Sequence, residues 1–320
     1  MAAEAGLLSV LARCSMRKYI LRRLMVSVLT LFILITIVWI LIQLIPGDPL
    51  RSDKLTPQVR ANLEAYYGLD QPLIVQYFRY LGNLFKGNLG YSYVYDSWTV
   101  NQIIGQGFPY SLDLGIRAIL FGTIGGVALG IAAALKRGKF VDFFSILVAV
   151  TGACVPSFVV ASFTQYIFAT RLGWLPPAGW SGFLTTIMPV FALGYYNVAY
   201  MARLMRTSML EAANKEYIKT ARAKGLSKLQ IVMKYQVRNA IIPIVTVLGP
   251  SIASILTGSF VVESIFAIPG IGKYYVQGVQ TLDYTLILGL TLFYGIFIIV
   301  CNFAVDIVYG IIDPRIRLHD

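Results

Sequence analysis

The sequence predicts an all-α membrane protein with six transmembrane helices, both termini in the cytoplasm (N-in, C-in) and a small external lobe between helices 1 and 2. Three observations carry this. The 320 residues are 57% hydrophobic with a mean hydropathy of +0.70, and only 13% are charged, about half the roughly 25% typical of soluble domains. Several apolar runs reach the length of about 18 residues that crosses roughly 30 Å of hydrocarbon. The net charge of +12 is confined to one set of loops.

Spans are expected at about residues 24–45, 112–135, 141–169, 185–204, 240–262 and 285–308. They divide the chain into a cytoplasmic segment 1–23, a first span, an extracytoplasmic lobe 46–111, a five-helix core 112–308 with an internal loop at 205–239, and a tail 309–320. Charged residues at span ends are counted with the nearer side. One side then holds 19 Lys and Arg against 7 Asp and Glu, the other 8 against 8. The positive-inside rule assigns the basic side to the cytoplasm. Short basic loops beside apolar runs are a topology signal, so the charge does not indicate nucleic acid.

The first fifteen residues do not read as a leader, because Leu7 to Leu11 is too short an apolar core and the Arg residues follow it. This points to Met16 as the conventional start. Cys14, Cys154 and Cys301 have neither metal nor redox spacing and read as packing residues.

After the first span, Pro46-Gly47-Asp48-Pro49 marks the membrane exit, and Asn88, Gly90 and Gly107 are expected to break any long element in the lobe. Thr56 to Tyr67 has helical periodicity, with Thr56 as N-cap and Pro57 in the first turn. In span two, Gly122, Gly126, Gly130 and Ala134 recur every four residues and form a stripe for close helix packing. Pro156 in span three and Pro250 in span five each remove a backbone hydrogen bond and predict kinks.

The internal loop reads as a helix pair broken at Gly225. A helix over about Asn214–Lys224 would end on Arg222 and Lys224, with Gly225 as the left-handed residue beyond it. Ser227 and Gln230 then have the spacing of a capping box for a second helix. Ile218, Ala221 and Leu226 give the first helix an apolar side. By patterning alone this knob suits either a protein partner or anionic lipid headgroups.

The run Tyr217-Ile218-Lys219-Thr220-Ala221-Arg222-Ala223-Lys224-Gly225-Leu226-Ser227, followed by Arg238-Asn239-Ala240 and Pro243, resembles the signature loop of importer permeases in its peptide-transporter form. Thr220 and Ala221 take the places of the two small residues before the glycine, whereas Glu211-Ala212-Ala213 is a decoy with Tyr217 where the glycine should stand. Val237-Arg238 departs from the general pattern, as the peptide subfamily does. Tyr67 to Leu73, Val155 to Phe158, Leu172 to Pro176, Glu263 to Gly272 and Asp306 to Arg315 extend the likeness from Met16 nearly to the end.

The chain is thus similar to the permease subunits of the oligopeptide and dipeptide (peptide/nickel) ABC importer family. That resemblance implies a type I importer permease fold and a coupling helix near Glu216–Leu226 that docks in a cytoplasmic ATPase. It also implies a second homologous permease, two ATPase subunits that carry the ATP and magnesium, and an extracytoplasmic substrate-binding protein received in part by the lobe. The cargo would be peptide, with nickel chelates or glutathione as the alternative within the subfamily.

The residues themselves argue against catalysis in this chain. Ala267-Ile268-Pro269-Gly270-Ile271-Gly272-Lys273-Tyr274 lacks the first glycine and the hydroxyl of a phosphate-binding loop, and lies on the external side. It reads as a tight turn, with Glu263, Phe266, Pro269 and Gly270 as candidates for an external gate or binding-protein contact. The sole histidine is His319. Nearly charge-free spans disfavour an ion-coupled carrier, apart from Asp306 beside Tyr309 and Asp313, read as a structural group at the interface. For the path itself, Ser251, Ser254 and Thr257 share one face of span five, and Tyr195, Tyr196 and Asn197 cluster in span four. Either set could line a polar route or hydrogen-bond between helices.

Overall fold

The computed structural model describes residues 2–44, 57–68, 70–92, 94–95, 98–257 and 260–312. Within them every long element is a helix, and the only β pairing is an isolated bridge between Tyr91 and Thr99. The chain divides into two compact units, residues 1–107 with 274–320 and residues 108–273.

In the first unit, α1 (Ala2–Leu44) pairs with α14 (Tyr284–Ile312), and α2 (Pro57–Tyr67) and α3 (Leu73–Phe85) form a lobe. Pro57 opens α2 as the sequence indicates, while Thr56 and Pro46 to Pro49 lie outside the described residues. The lobe closes on aromatic rings. Trp39 of α1 lies 5.2 Å from the Tyr80 ring, Tyr66 and Tyr67 meet edge to face at 4.7 Å, and Leu292 of α14 completes the cluster. Burial raises the Tyr66 and Tyr80 hydroxyls well above their usual range and pushes Tyr67 up to about 12, so the cluster stays neutral.

The helix of span two starts earlier than expected. α4 runs from Val100 to Leu135, through Gly107 and Pro109. Its start is set by Thr99 and Gln102: the Gln102 amide donates to Thr99 Oγ1 at 3.2 Å, and the Thr99 amide donates to Gln102 Oε1 at 2.9 Å. This capping box fixes the start of the helix, which then continues through Gly105, Gly107 and Pro109.

In the second unit α7 (Phe183–Ala213) is central. α4 packs along it through the glycine stripe: a Cβ on Gly126 would stand 2.6 Å from Met201 Cβ, and one on Gly130 2.6 Å from the Ala202 carbonyl. α5 (Phe140–Cys154) packs antiparallel to it, with Asp142 against Arg206 and Thr151 against Tyr195. At Val155-Pro156 the chain turns by 110° into α6 (Ser157–Thr164) and a π-helical segment, Gln165–Arg171. Val155 is extended, the conformation that a following proline favours. Thr164 and Phe168 then meet Met188 and Phe191 of α7, so contacts advance in one direction along α7.

The two ends of this unit are clear. One gathers Asp142, Arg206 and the segments up to Ala240. The other gathers Ser111, whose Oγ accepts the Ile271 amide at 2.9 Å, Gly179, whose amide donates to the Phe266 carbonyl at 2.7 Å, and Arg117 over the Trp180 ring at 5.8 Å. Three described helices are long and apolar enough to cross a bilayer, or five when each bent pair counts as one span. α7 is long enough but too polar for that measure. Its buried residues include Thr185, Thr186, Gly194, Asn197 and several Ala and Met, the small and polar types that pack between helices rather than against lipid.

Candidate functional site

The helix pair around Gly225 is formed as its residues dictate. α7 continues past the expected end of span four to Ala213, because loss of hydropathy ends a membrane span but does not end a helix. α8 (Glu216–Ala223) follows, with Glu216 in its first turn favourable to the helix dipole. Gly225 has φ +73°. Its amide donates to the Arg222 carbonyl at 3.0 Å and the Leu226 amide to Ala221 at 3.4 Å, the paired bonds of a Schellman terminus.

Two residues on, Ser227 caps α9 (Lys228–Ile231). The Gln230 amide donates to Ser227 Oγ at 3.3 Å and the Ser227 amide to Gln230 Oε1 at 3.0 Å. Ile218 and Ala221 of α8 are buried with Ile231, and Leu226 and Tyr235 pack against them. The anchoring partners Ile231 and Tyr235 were not evident in the sequence, although Ile231 sits four residues after the Ser227 cap. The opposite face of α8 is exposed at Glu216, Tyr217, Lys219, Thr220 and Ala223, with Lys224 as C-cap and an ion pair of 2.8 Å between Glu216 and Lys219. Beneath the pair lies a cavity of about 540 Å³ that reaches Arg222, Leu226, Lys228 and Gln236 on one side and Leu135 and Met209 on the other.

From α9 the chain continues without a loop. A π-helical segment, Val232–Val237, leads through α10 (Arg238–Ala240) to a 45° bend at Ile241 and then α11 (Ile242–Thr257). The bend lies just before Pro243, and α11 continues through Pro250 where the sequence suggested the kink. α8 is thus joined through the Gly225–Ser227 turn to α9, and from α9 a helical path runs through the π segment and the 45° bend at Ile241 into α11.

α11 and α7 together line a cavity of about 340 Å³ containing Tyr196, Asn197, Tyr200, Ser251 and Ser254. Tyr196 and Tyr200 stack at 6.2 Å with 7° between their planes. Asn197 is mostly turned toward α4, donating to Thr123 Oγ1 at 3.3 Å. Tyr195 stands apart from this cavity: its hydroxyl bonds Thr151 Oγ1 at 2.6 Å between α7 and α5. The Thr257 side chain lies outside the described set, as do those of Asp306, Tyr309, Asp313 and His319.

At the far end of the unit, α12 (Phe260–Ile265) and the start of α13 (Ile271–Thr281) enclose the turn around Pro269. Glu263 and Phe266 are fully buried. Glu263 Oε2 accepts the Gly272 amide at 2.8 Å at the positive end of α13. A Cβ on Gly270 would collide with that carboxylate, and one on Gly272 would approach it to 2.8 Å. Glu263 and Phe266 thus brace the turn from within, while Pro269 is exposed. Among the described residues, no three His, Cys, Asp or Glu side chains converge on a point where a metal could bind.

One pair escaped sequence reasoning. Asp142, at the start of α5, is buried and ion-paired with Arg206 of α7. Two residues 64 positions apart leave no local pattern, and an acidic first-turn residue is ordinary at a helix start.

The family model described as binding-protein-dependent transport system inner membrane component matches residues 126–318, and the corresponding N-terminal model matches residues 16–115. The dipeptide transport system permease protein DppB of Bacillus subtilis (strain 168) is 43% identical over 95% of this chain and 99% of its own. The oligopeptide transport system permease protein OppB of Haemophilus influenzae is 45% identical over 94% of this chain and 100% of its own, and that of Escherichia coli K12 is 42% identical over the same shares. Among solved structures, an amino acid ABC transporter with histidines aligns at a TM-score of 0.54 and 16% identity over 66% of this chain and 95% of that one. The inward-facing MetNI methionine ABC transporter aligns at 0.51 and 17% over 66% and 97%. These two likenesses concern the fold.

Proposed function

This chain belongs to the family of binding-protein-dependent transport system inner membrane components, a permease subunit of an ABC importer in the bacterial inner membrane, and from that membership we propose that it carries oligopeptides or dipeptides inward by alternating access. The cargo reading rests on relatives with peptide-transport names at 42–45% identity along almost the whole chain. In this reading the chain crosses the membrane six times, with α7 as the central crossing and both termini in the cytoplasm, an orientation that the basic loops support.

The observation that carries the mechanism is α8. A short helix closed at its C-terminus by the Gly225 turn, anchored by Ile218 and Ala221 and exposed along Tyr217, Thr220 and Ala223, is a compact knob with an exposed outer face. That face would sit in a cleft of one of two cytoplasmic ATPase subunits, which bind the ATP and magnesium; this chain contributes no hydrolytic chemistry. Closure of the ATPases would displace α8, and the bent helical path from α9 through Val232–Val237 and Ile241 would pass the displacement to α11 and its Ser251 and Ser254. Tyr196, Ser251 and Ser254 would offer hydrogen bonds to peptide groups without retaining any one side chain. A second homologous permease would form the other half of the path. An extracytoplasmic binding protein would deliver the cargo at the lobe and the turn around Pro269.

The test is reconstitution of the complete complex in liposomes with its ATPases and binding protein. ATP inside the cytoplasmic compartment should drive peptide accumulation that survives collapse of the proton gradient. Uptake that persists without the ATPases and disappears with the proton gradient would overturn the proposal.

A further inference from the structure

The lobe helix α3 is amphipathic in an inverted sense. Its polar side is turned inward: Gln76 and Tyr80 are buried, and Asn83 donates to the Tyr66 carbonyl at 2.8 Å. The apolar side is turned outward, with Ile74 62% exposed, Phe78 64% and Phe85 89%. At 100° per residue these three fall within one narrow stripe, with Leu81 between them. Arg79 and Lys86, seven residues apart, border that stripe on one flank. Tyr77 and Leu84 flank it on the other and pack against α1.

The position of that packing is what decides the environment. The Tyr77 hydroxyl is 2.7 Å from Thr36 Oγ1, and its ring lies 6.0 Å from Trp39. Thr36 lies inside the apolar crossing Ile20–Leu41. At 1.5 Å per residue it sits about 8 Å below the Leu41 end, within the 5–10 Å to which interfacial helices sink. The exposed stripe of α3 thus belongs to a helix packed on α1, which itself exposes Phe32, Ile33 and Ile40.

We propose that α3 is an interfacial, lipid-binding helix whose Ile74–Phe78–Phe85 stripe rests on phospholipid acyl chains of the outer leaflet, with Arg79 and Lys86 at the level of the phosphates. The lobe is then anchored in the bilayer surface beside α1 rather than standing clear in water. A stripe this apolar in water would be an aggregation liability, whereas basic residues beside an apolar helix face are the arrangement that partitions to a headgroup boundary. Which leaflet this is rests on the orientation proposed above; that the stripe meets lipid does not.

Photo-crosslinking in the assembled transporter, in native membranes, separates the occupants. With p-benzoylphenylalanine replacing Phe78 or Phe85, mass spectrometry should find phospholipid adducts at both positions and none with the same residue replacing Asp70 in the exposed turn. Adducts at 78 and 85 to a second permease or to the binding protein, or no adducts above the Asp70 level, overturn the proposal. As a measurement with less perturbation, Phe78→Cys in membranes should resist an impermeant maleimide added from either side and react once detergent is present. Ready labelling without detergent sinks the lipid contact. Labelling of Asp70→Cys only from the cytoplasmic side leaves the lipid contact standing and refutes the orientation.

Discussion

Arg206 of α7 grips Asp142 of α5 with both arms of the pair engaged: Nε donates to Oδ1 at 2.5 Å and Nη2 to Oδ2 at 3.1 Å. The same carboxylate accepts the Gly138 amide at 2.9 Å and so fixes the turn ahead of α5. The Asp142 side chain is 7% exposed and that of Arg206 24%. This is a polar fastening between α5 and α7 at the end of the unit that also carries α8, and Thr151 with Tyr195 supplies a second one further along the pair.

Asp142→Ala is expected to destabilise the purified complex by about 3 kcal/mol, the low end for breaking a buried pair because Arg206 keeps partial access to water. The double replacement Asp142→Leu with Arg206→Met should recover most of that loss, since no uncompensated charge remains. Thermal unfolding of the wild-type, single and double variants checks this. A double variant as unstable as the single would show that the pair's value lies elsewhere.

Gly225→Val places a β-branched residue at φ +73°, costing on the order of 1–2 kcal/mol locally and opening the Schellman terminus of α8. Assembly with the ATPases should survive while peptide uptake per ATP hydrolysed falls severalfold. The ratio is read from parallel transport and hydrolysis assays in proteoliposomes. Unchanged uptake in this variant would count against a coupling role for α8.

Gly126→Ala and Gly125→Ala form a matched pair on adjacent positions of α4. At Gly126 the new Cβ would lie 2.6 Å from Met201 Cβ and 2.7 Å from the Val198 carbonyl oxygen, whereas at Gly125 the nearest atom is 3.7 Å away. Backbone cannot yield as a flexible side chain does, so Gly126→Ala is expected to lose about 1–3 kcal/mol. Gly125→Ala should be neutral or gain up to about 1 kcal/mol through helix propensity. Melting temperatures in one detergent decide it, and equal effects at the two sites would contradict the close approach of α4 to α7.

Glu263→Ala removes the acceptor of the Gly272 amide inside a buried turn, with an expected cost of about 1–3 kcal/mol for the unsatisfied donor. Glu263→Gln keeps a carbonyl in place and should lose less. Hydrogen exchange at residues 268–274 should accelerate in the alanine variant well before the rest of the chain. Protection equal to wild type would mean that another group holds the turn.

Much of this architecture was legible locally. Gly225, Ser227 and Gln230 are helix punctuation, and each acts within four residues of itself, so sequence and structure agree there. The glycine stripe at 122, 126 and 130 was legible for the same reason, since periodicity along one helix defines a face without knowledge of the neighbour. The start of α4 is written locally too: Thr99-Val100-Asn101-Gln102 has capping-box spacing, and Gly107 does not end the helix. Hydropathy misled at α7, where the apolar stretch ends near residue 204 but the hydrogen-bond ladder continues to Ala213.

By itself the sequence determined a helical membrane protein, its basic side and the two-capped knob around Gly225, because partition into lipid and helix termination depend on neighbours in the chain. Only the tertiary structure decided that Tyr196 joins Ser251 and Ser254 around one cavity while Tyr195 turns to Thr151, and that Asp142 meets Arg206. It also decided that the apolar face of α3 points outward. Adjacent residues on a helix differ by 100° in direction, and what each meets is set by a second helix whose distance in sequence carries no trace of the contact.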